Sequence, residues 1–97
     1  MNRLAGKAII VTGAARGIGL GIAAACRREG AEVLAVDINP DVQAVANDIG
    51  AVALALDICA EGADAEAVRA ATGTFGRIDG LVNNAGRVDE ADILETT

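Results

Sequence analysis

The strongest constraint on the fold is a glycine-rich segment that directly follows an apolar, β-branched run. The run at residues 9–11 ends in Thr12, and glycines follow at positions 13, 17 and 19. A helix-compatible segment comes next and stops at Gly30. Strand, glycine turn and helix in this order aim the amino end of a helix at an anion, because its first N–H groups lack partners and its dipole is positive there. The segment therefore predicts a phosphate-binding turn.

Each of the three glycines has a predicted role. Gly13 lets the chain leave the strand sharply, Gly17 lets the backbone approach a ligand without an intervening Cβ, and Gly19 lets the helix lie close to the sheet. The spacing is G-x3-G-x-G rather than the G-x-G-x-x-G of the standard dinucleotide fingerprint. Because glycine-rich turns are common in α/β proteins, a turn that binds nothing is the alternative interpretation of this segment taken alone.

Length, charge and cysteine content narrow the class of protein. The 97 residues form one domain at most, and the net charge of −6 argues against nucleic acid or an anionic membrane as a partner. No apolar run approaches the roughly 18 residues of a transmembrane helix, and no signal peptide fits the first residues. Cys26 and Cys59 are expected to be free thiols, and without histidine they make a poor zinc site. We therefore expect a cytoplasmic protein with no metal site.

The residue types that are missing limit the chemistry further. The sequence contains no serine, histidine or tyrosine, and Lys7 is its only lysine. A serine nucleophile, a histidine base and a tyrosine acid are therefore excluded from these residues. Carboxylates, two thiols, threonine hydroxyls and Lys7 remain, and we assign no catalytic residue.

Strand and helix patterns alternate along the whole chain. Strands are predicted at residues 7–12, 32–37, 51–58 and 78–83. Helices are predicted from the glycine turn to about residue 29, from Pro40 (capped by Asn39) to about 49, and from about 63 to 75. This alternation predicts an α/β protein with a parallel sheet in the strand order 3-2-1-4. Helices one and two are expected on one face and helix three on the other.

Apolar residues recur at helical spacing within each predicted helix, which indicates the face that packs on the sheet. The residues expected to point inward are Ile18, Ile22 and Cys26 on helix one, Val42, Val45, Ala46 and Ile49 on helix two, and Val68, Ala71 and Phe75 on helix three.

The predicted topology brings polar residues to one crevice. Ligands of such sheets bind beyond the carboxyl ends of the strands where the order reverses, here between strands one and four. Asp37 ends strand two, 18 residues after Gly19, and suits accepting hydrogen bonds from ribose hydroxyls. A carboxylate there repels a 2′-phosphate, which favours NAD over NADP, whereas a solvated strand-end Asp is the alternative. Arg16 could instead meet a 2′-phosphate or be solvent-exposed, and we weigh Asp37 more heavily.

Further polar residues follow strands three and four. Asp57 suits accepting from an adenine amino group with Ile58 beside the ring, although a plain loop carboxylate is nearly as well supported. At the end of strand four, Asn83 and Asn84 provide two side-chain amides. One can tie neighbouring strands and the other can face the ligand. For Asn83 a purely structural role is at least as well supported.

Together these features resemble the short-chain dehydrogenase/reductase family. The resemblance rests on Thr-Gly-x3-Gly-x-Gly at residues 12–19, the acidic end of strand two, the Asp-Ile pair, and Asn-Asn-Ala-Gly at 83–86, and it covers essentially all 97 residues. It implies a Rossmann-type fold and NAD(P)-dependent oxidation of an alcohol or reduction of a carbonyl. The cofactor-binding residues that it implies, from pyrophosphate to ribose and adenine, are Gly13, Ala15, Arg16, Gly17, Ile18, Gly19, Asp37, Asp57, Ile58, Asn84, Ala85 and Gly86.

The sequence also departs from that family. Members are considerably longer, and their catalytic Asn, Ser, Tyr and Lys lie beyond the equivalent of Thr97. Residues 1–97 are therefore expected to form one partial dinucleotide-binding domain that is silent in catalysis by itself. An enzyme completed by another chain and a non-enzymatic nucleotide-binding or protein-interaction module are the alternatives. An apolar, unpaired strand-four edge predicts self-association.

Overall fold

Each apolar run of the sequence that is predicted as a strand contributes to one parallel sheet. The computed structural model describes residues 3–84. Its elements in chain order are β1 (Ala8–Thr12), α1 (Gly17–Arg28), β2 (Glu32–Asp37), α2 (Val42–Ile49), β3 (Val52–Ala55), α3 (Ala63–Phe75) and β4 (Gly80–Val82). All strand pairs are parallel and the order is β3-β2-β1-β4, which confirms the predicted topology.

The sheet is covered on both faces, and this explains its unbroken apolar strands. Successive side chains of a strand point to opposite faces. Val11, Val33 and Ala35 therefore pack with α1 and α2, whereas Ile10 and Leu34 pack with α3. Residues 33–36 are each at most 1% exposed. The predicted placement of helices one and two opposite helix three is thus confirmed.

Two of the predicted helix faces are wrong in part. Ile18 is 62% exposed and Val68 is 48% exposed, although both were expected to point inward. Small residues take the inward line instead, namely Gly19 and Ala23 on α1 and Ala63, Ala67 and Ala71 on α3. Because these helices pack closely on the sheet, a large side chain does not fit at the buried positions. On α2 the prediction holds, since Val42 and Ala46 are buried.

The element boundaries are shorter than predicted. β3 ends at Ala55, where its register reaches the last residue of β2, Asp37. β4 begins at Gly80, because the Asp79 carboxylate, instead of a backbone carbonyl, accepts the hydrogen bond of the Ala8 amide at 2.8 Å. α2 begins at Val42 rather than at Pro40. Its approach is a turn in which Asn39 Oδ1 accepts from the Asp41 amide at 2.9 Å.

Helix length, the two cysteines and the grouping of metal-binding side chains complete the description of residues 3–84. None of the helices within residues 3–84 is both long and apolar enough to cross a membrane. Cys26 and Cys59 are free thiols, and burial raises the pKa of the Cys26 thiol. In this same part of the chain, His, Cys, Asp and Glu side chains form no group of three that could hold a metal ion.

Candidate functional site

The turn between β1 and α1 adopts a conformation that requires glycine. Gly13 and Gly17 have φ angles of +66° and +63°, in the left-handed region where a side chain is strained. Gly19 is required for a different reason, because a Cβ there would overlap the Gly13 carbonyl oxygen and lie 2.7 Å from Asn84 Nδ2. The turn and the end of β4 are therefore in direct contact at Gly19.

The amino end of α1 is open to an incoming anion. Arg16 occupies the N-cap position with extended backbone (φ −163°, ψ 170°) and is exposed. Within the described residues no side chain caps this helix, and its first turn contains no acidic residue. The first N–H groups and the positive end of the dipole thus favour an anion at this place. Gly17 and Ile18 lie exposed at the same end.

Asp37 connects the end of β2 to this turn. Its Oδ2 accepts a hydrogen bond from the Ala15 amide at 2.9 Å, and its Oδ1 accepts one from the Asn39 amide at 2.9 Å. The adjacent Ala14 amide donates to the Val36 carbonyl at 3.1 Å. A carboxylate has about four acceptor positions, so one position on each oxygen of Asp37 remains for donors such as hydroxyl groups.

A cleft of about 110 Å³ opens beside Asp37 at the ends of β2 and β3. Its walls are mostly apolar, and Ile38, at its rim, is 66% exposed. Asp57 is the second carboxylate of the cleft, and its Oδ1 accepts from the Cys59 amide at 2.9 Å. The residues that line the cleft are Gly13, Val36, Asp37, Ile38, Leu56, Asp57, Ile58 and Cys59.

A buried hydroxyl ties the ends of β1 and β4 together. Thr12, only 1% exposed, accepts from the Asn84 amide at 2.9 Å through its Oγ1. The same hydroxyl donates to Asn83 Oδ1 at 3.0 Å, with the Val82 carbonyl oxygen at 3.4 Å. This network holds Asn84 beside Gly19. It also places the side-chain oxygen of Asn83 against the sheet end rather than in the cleft beside Asp37.

A second cavity, of about 210 Å³, lies between α3 and the ends of β1 and β4. It is bordered by two of the exposed apolar residues, Val68 and Leu81. Its polar lining comes from Thr12, Asp64 and Asn83. Ile58 lines both this cavity and the cleft beside Asp37.

The predicted site residues fall into three groups in the structure. Gly13, Asp37, Asp57 and Ile58 line one cleft, and Ala15 reaches it through its bond to Asp37. Gly19 and Asn84 meet at the end of β4, while Arg16, Gly17 and Ile18 lie at the amino end of α1. Ala85 and Gly86 lie outside the described residues.

Sequence reasoning missed two apolar residues of the cleft and the structural role of Thr12. Ile38 and Leu56 form apolar walls of the cleft, and Thr12 ties β1 to β4. One signal was available for Ile38, which is a large apolar residue placed directly after the strand-end carboxylate. For Thr12 the signal is a hydroxyl side chain at the end of an otherwise apolar strand that both faces bury.

Comparison with known proteins gives a consistent result. The family model described as enoyl-(acyl carrier protein) reductase matches residues 13–97. Sorbitol dehydrogenase of Cereibacter sphaeroides is 45% identical over 98 residues, which cover 98% of this chain and 38% of that protein.

The chain belongs to the short-chain dehydrogenase/reductase family. Among solved members, 3-ketoacyl-(acyl-carrier-protein) reductase from Brucella melitensis complexed with NADH superposes with a TM-score of 0.77 and 41% identity, over 80% of this chain and 34% of that one. Hydroxysteroid dehydrogenase from Escherichia coli gives a TM-score of 0.82 and 39% identity, over 87% of this chain and 37% of that one. The short-chain dehydrogenase/reductase chain described here therefore spans less than two fifths of these relatives.

Proposed function

We propose that this chain forms the NAD-binding part of a short-chain dehydrogenase/reductase that transfers hydride between the cofactor and an alcohol or carbonyl compound. One observation carries the proposal. Asp37 lies beside the uncapped amino end of α1, bonded to the turn through Ala15, with one acceptor position left on each carboxylate oxygen. An anion site next to a pair of free acceptor positions suits a pyrophosphate joined to a ribose diol.

The remaining parts of the site suit the rest of the dinucleotide. The cleft between Ile38, Leu56 and Ile58 offers apolar walls to an adenine ring, and Asp57 offers an acceptor for its amino group. We propose that Asn84, which Thr12 holds beside Gly19, approaches the second half of the cofactor. Because Gly19 has no Cβ, the glycine turn can lie directly against Asn84 at the end of β4.

We propose a preference for NAD over NADP. The acceptor positions of Asp37 suit hydroxyl donors, whereas a 2′-phosphate would bring two anionic groups together. Arg16 is exposed at the amino end of α1 and does not line the Asp37 cleft, so its charge offers less compensation than the sequence alone allowed.

The proposed activity of the 97-residue chain is binding rather than turnover. NAD supplies the hydride acceptor of the reaction when it is bound. Proton transfer to or from the substrate needs a positioned acid or base, and the sequence has no serine, tyrosine or histidine for this role. An enzyme completed by another chain is the alternative, and turnover by the purified chain with NAD and a set of alcohols would contradict our proposal.

Isothermal calorimetry of the full 97-residue chain with NAD, ADP and NADP tests the proposed site. We expect NAD and ADP to bind with similar affinity, since the described contacts belong to the adenosine and pyrophosphate half. NADP is expected to bind at least about tenfold more weakly, which corresponds to roughly 1.4 kcal/mol. A folded sample that binds none of the three would contradict the proposal.

The lateral edge of the sheet supports a separate proposal of self-association. Within residues 3–84, β4 pairs with β1 alone, and Leu81 on β4 is 47% exposed. An apolar strand edge of this kind favours pairing with another chain. We expect Leu81→Lys to lower the apparent mass in concentration-dependent sedimentation. Val52→Lys on β3, the other edge strand, distinguishes association through β4 from association through β3. An unchanged mass in Leu81→Lys would contradict this proposal.

A further inference from the structure

The Asp37 carboxylate accepts hydrogen bonds from two backbone amides. One belongs to Asn39, two residues further along the chain, and is a local turn contact. The other belongs to Ala15, which lies 22 residues earlier and is only 8% exposed. The second bond is therefore a long-range connection between the end of β2 and the middle of the glycine turn.

We propose that Asp37 is a positioning residue for the glycine turn, in addition to accepting hydrogen bonds from the ribose. This inference rests on the proposed dinucleotide site. Through the Ala15 amide, the carboxylate holds the segment between Gly13 and Gly17 in the shape that presents the amino end of α1 to a pyrophosphate. The residue thus serves two parts of the ligand at once.

The conformation of the turn explains why such a connection matters. Gly13 and Gly17 border the segment with positive φ angles, and glycine loses more conformational freedom than any other residue when it is ordered. Two hydrogen bonds tie the segment to the end of β2, from Ala14 to the Val36 carbonyl and from Ala15 to Asp37. The second is charge-assisted, which makes it the stronger type.

The bond between Asp37 and the Ala15 amide also affects which cofactor an Asp37 variant can bind. Replacing Asp37 to admit a 2′-phosphate also weakens or removes the bond from the Ala15 amide, because a neutral or basic side chain has fewer acceptors or none and no negative charge. The gain in NADP affinity from removing the negative charge is then offset by a loss at the pyrophosphate. A single substitution at this position is expected to reduce NAD binding more than it improves NADP binding.

The test compares two ligands that differ only in the ribose hydroxyls, ADP and 2′,3′-dideoxy-ADP. Both are titrated by calorimetry into the full chain and into Asp37→Asn, a variant of the same size. Asparagine has one acceptor oxygen, and its amide nitrogen cannot accept from an N–H group. We expect Asp37→Asn to bind 2′,3′-dideoxy-ADP about fivefold more weakly than the unmodified chain does, as for the loss of one hydrogen bond.

Amide hydrogen exchange supplies a second readout that needs no ligand. The Ala15 amide is expected to exchange faster in Asp37→Asn than in the unmodified chain. Asp48→Asn, at an exposed position on α2, is the matched control and should change neither the exchange of Ala15 nor the affinity for either ligand.

These measurements distinguish a failure of the positioning role of Asp37 from a failure of dinucleotide binding. If the unmodified chain binds ADP and Asp37→Asn keeps its affinity for 2′,3′-dideoxy-ADP, the positioning role is wrong and the dinucleotide site stands. Unchanged exchange of the Ala15 amide in Asp37→Asn also overturns the positioning role. If the unmodified chain binds neither ADP nor NAD, the proposed function fails and the inference fails with it.

Discussion

At each end of the sheet an aspartate carboxylate accepts a hydrogen bond from a backbone amide, but the two carboxylates differ in their other partners. At the carboxyl end, the Asp37 carboxylate accepts the Ala15 amide at 2.9 Å, and at the amino end the Asp79 carboxylate accepts the Ala8 amide at 2.8 Å. Each carboxylate therefore joins a strand to the backbone of a neighbouring segment.

The difference lies in what occupies the remaining acceptor positions. Both oxygens of Asp79 accept from the Arg77 guanidinium, at 2.8 Å from Nε and 2.7 Å from Nη2. The hydrogen bond from Arg77 and that from Ala8 lower the pKa of Asp79 to about 2. Asp37, in contrast, makes no ion pair within residues 3–84. We propose that Asp79, paired with Arg77, stabilises the fold, whereas Asp37, which has no such partner among residues 3–84, offers its remaining acceptor positions to a ligand.

The largest effect that we predict at the carboxyl end concerns Gly19. Gly19→Ala places a Cβ against the Gly13 carbonyl and Asn84, so we expect a loss of about 1–3 kcal/mol in the free energy of unfolding, as in overpacked cores. The binding of ADP should weaken as well, because the turn and β4 must separate. Urea denaturation measures the first effect and calorimetry the second.

Gly21→Ala, only two residues further along the same helix, is the control for that substitution. A Cβ at Gly21 meets nothing within 4 Å, so the higher helix propensity of alanine should stabilise the chain by roughly 0.5–1 kcal/mol. If both variants were equally stable, the close contact at Gly19 would not be a constraint on this site.

A smaller effect is predicted at the amino end, for Asp79→Asn. Because the pKa of Asp79 is lowered to about 2 in the folded chain from an ordinary value of 3.8, its stabilisation is present above about pH 4 and is lost as the pH falls through 2. We expect Asp79→Asn to be less stable than the unmodified chain at pH 7, with the difference shrinking towards pH 2. Thermal unfolding at several pH values measures this.

The same variant distinguishes the two ends of the sheet. Asp79→Asn should leave the affinity for ADP unchanged, whereas Asp37→Asn should lower it. Asp48→Asn controls for the loss of one negative charge in the pH series. An Asp79→Asn variant that bound ADP as poorly as Asp37→Asn would show that the two carboxylates are not separate in function.

Much of the arrangement at the carboxyl end could be predicted from the sequence. The alternation of strand and helix patterns predicts the strand order, and that order brings Gly13, Asp37 and Asp57 to the same edge. These predictions succeed because they depend on periodicity and on the rule that parallel strands present their carboxyl ends together. The roles proposed for these residues remain predictions.

Other features of the structure could not be predicted from local sequence patterns. Ile18 and Val68 fit the apolar periodicity of their helices but are exposed. The buried positions are occupied by Gly19, Ala23 and the alanines of α3, because the helices pack closely on the sheet. The bond between Asp79 and Ala8 joins residues 71 positions apart. Such contacts depend on the distance between packed elements, and the sequence of a single segment does not determine that distance.

Mapping the ADP site on the amide resonances of isotopically labelled chain tests the central claim most directly. We predict that ADP shifts the amides of residues 13–19 and 37–39 and those of Ile58 and Cys59, all at the carboxyl end of the sheet. The amides of Ala8, Asp79 and Gly80, at the amino end, should not move. Shifts of similar size at both ends, or none at saturating ADP, would contradict the account.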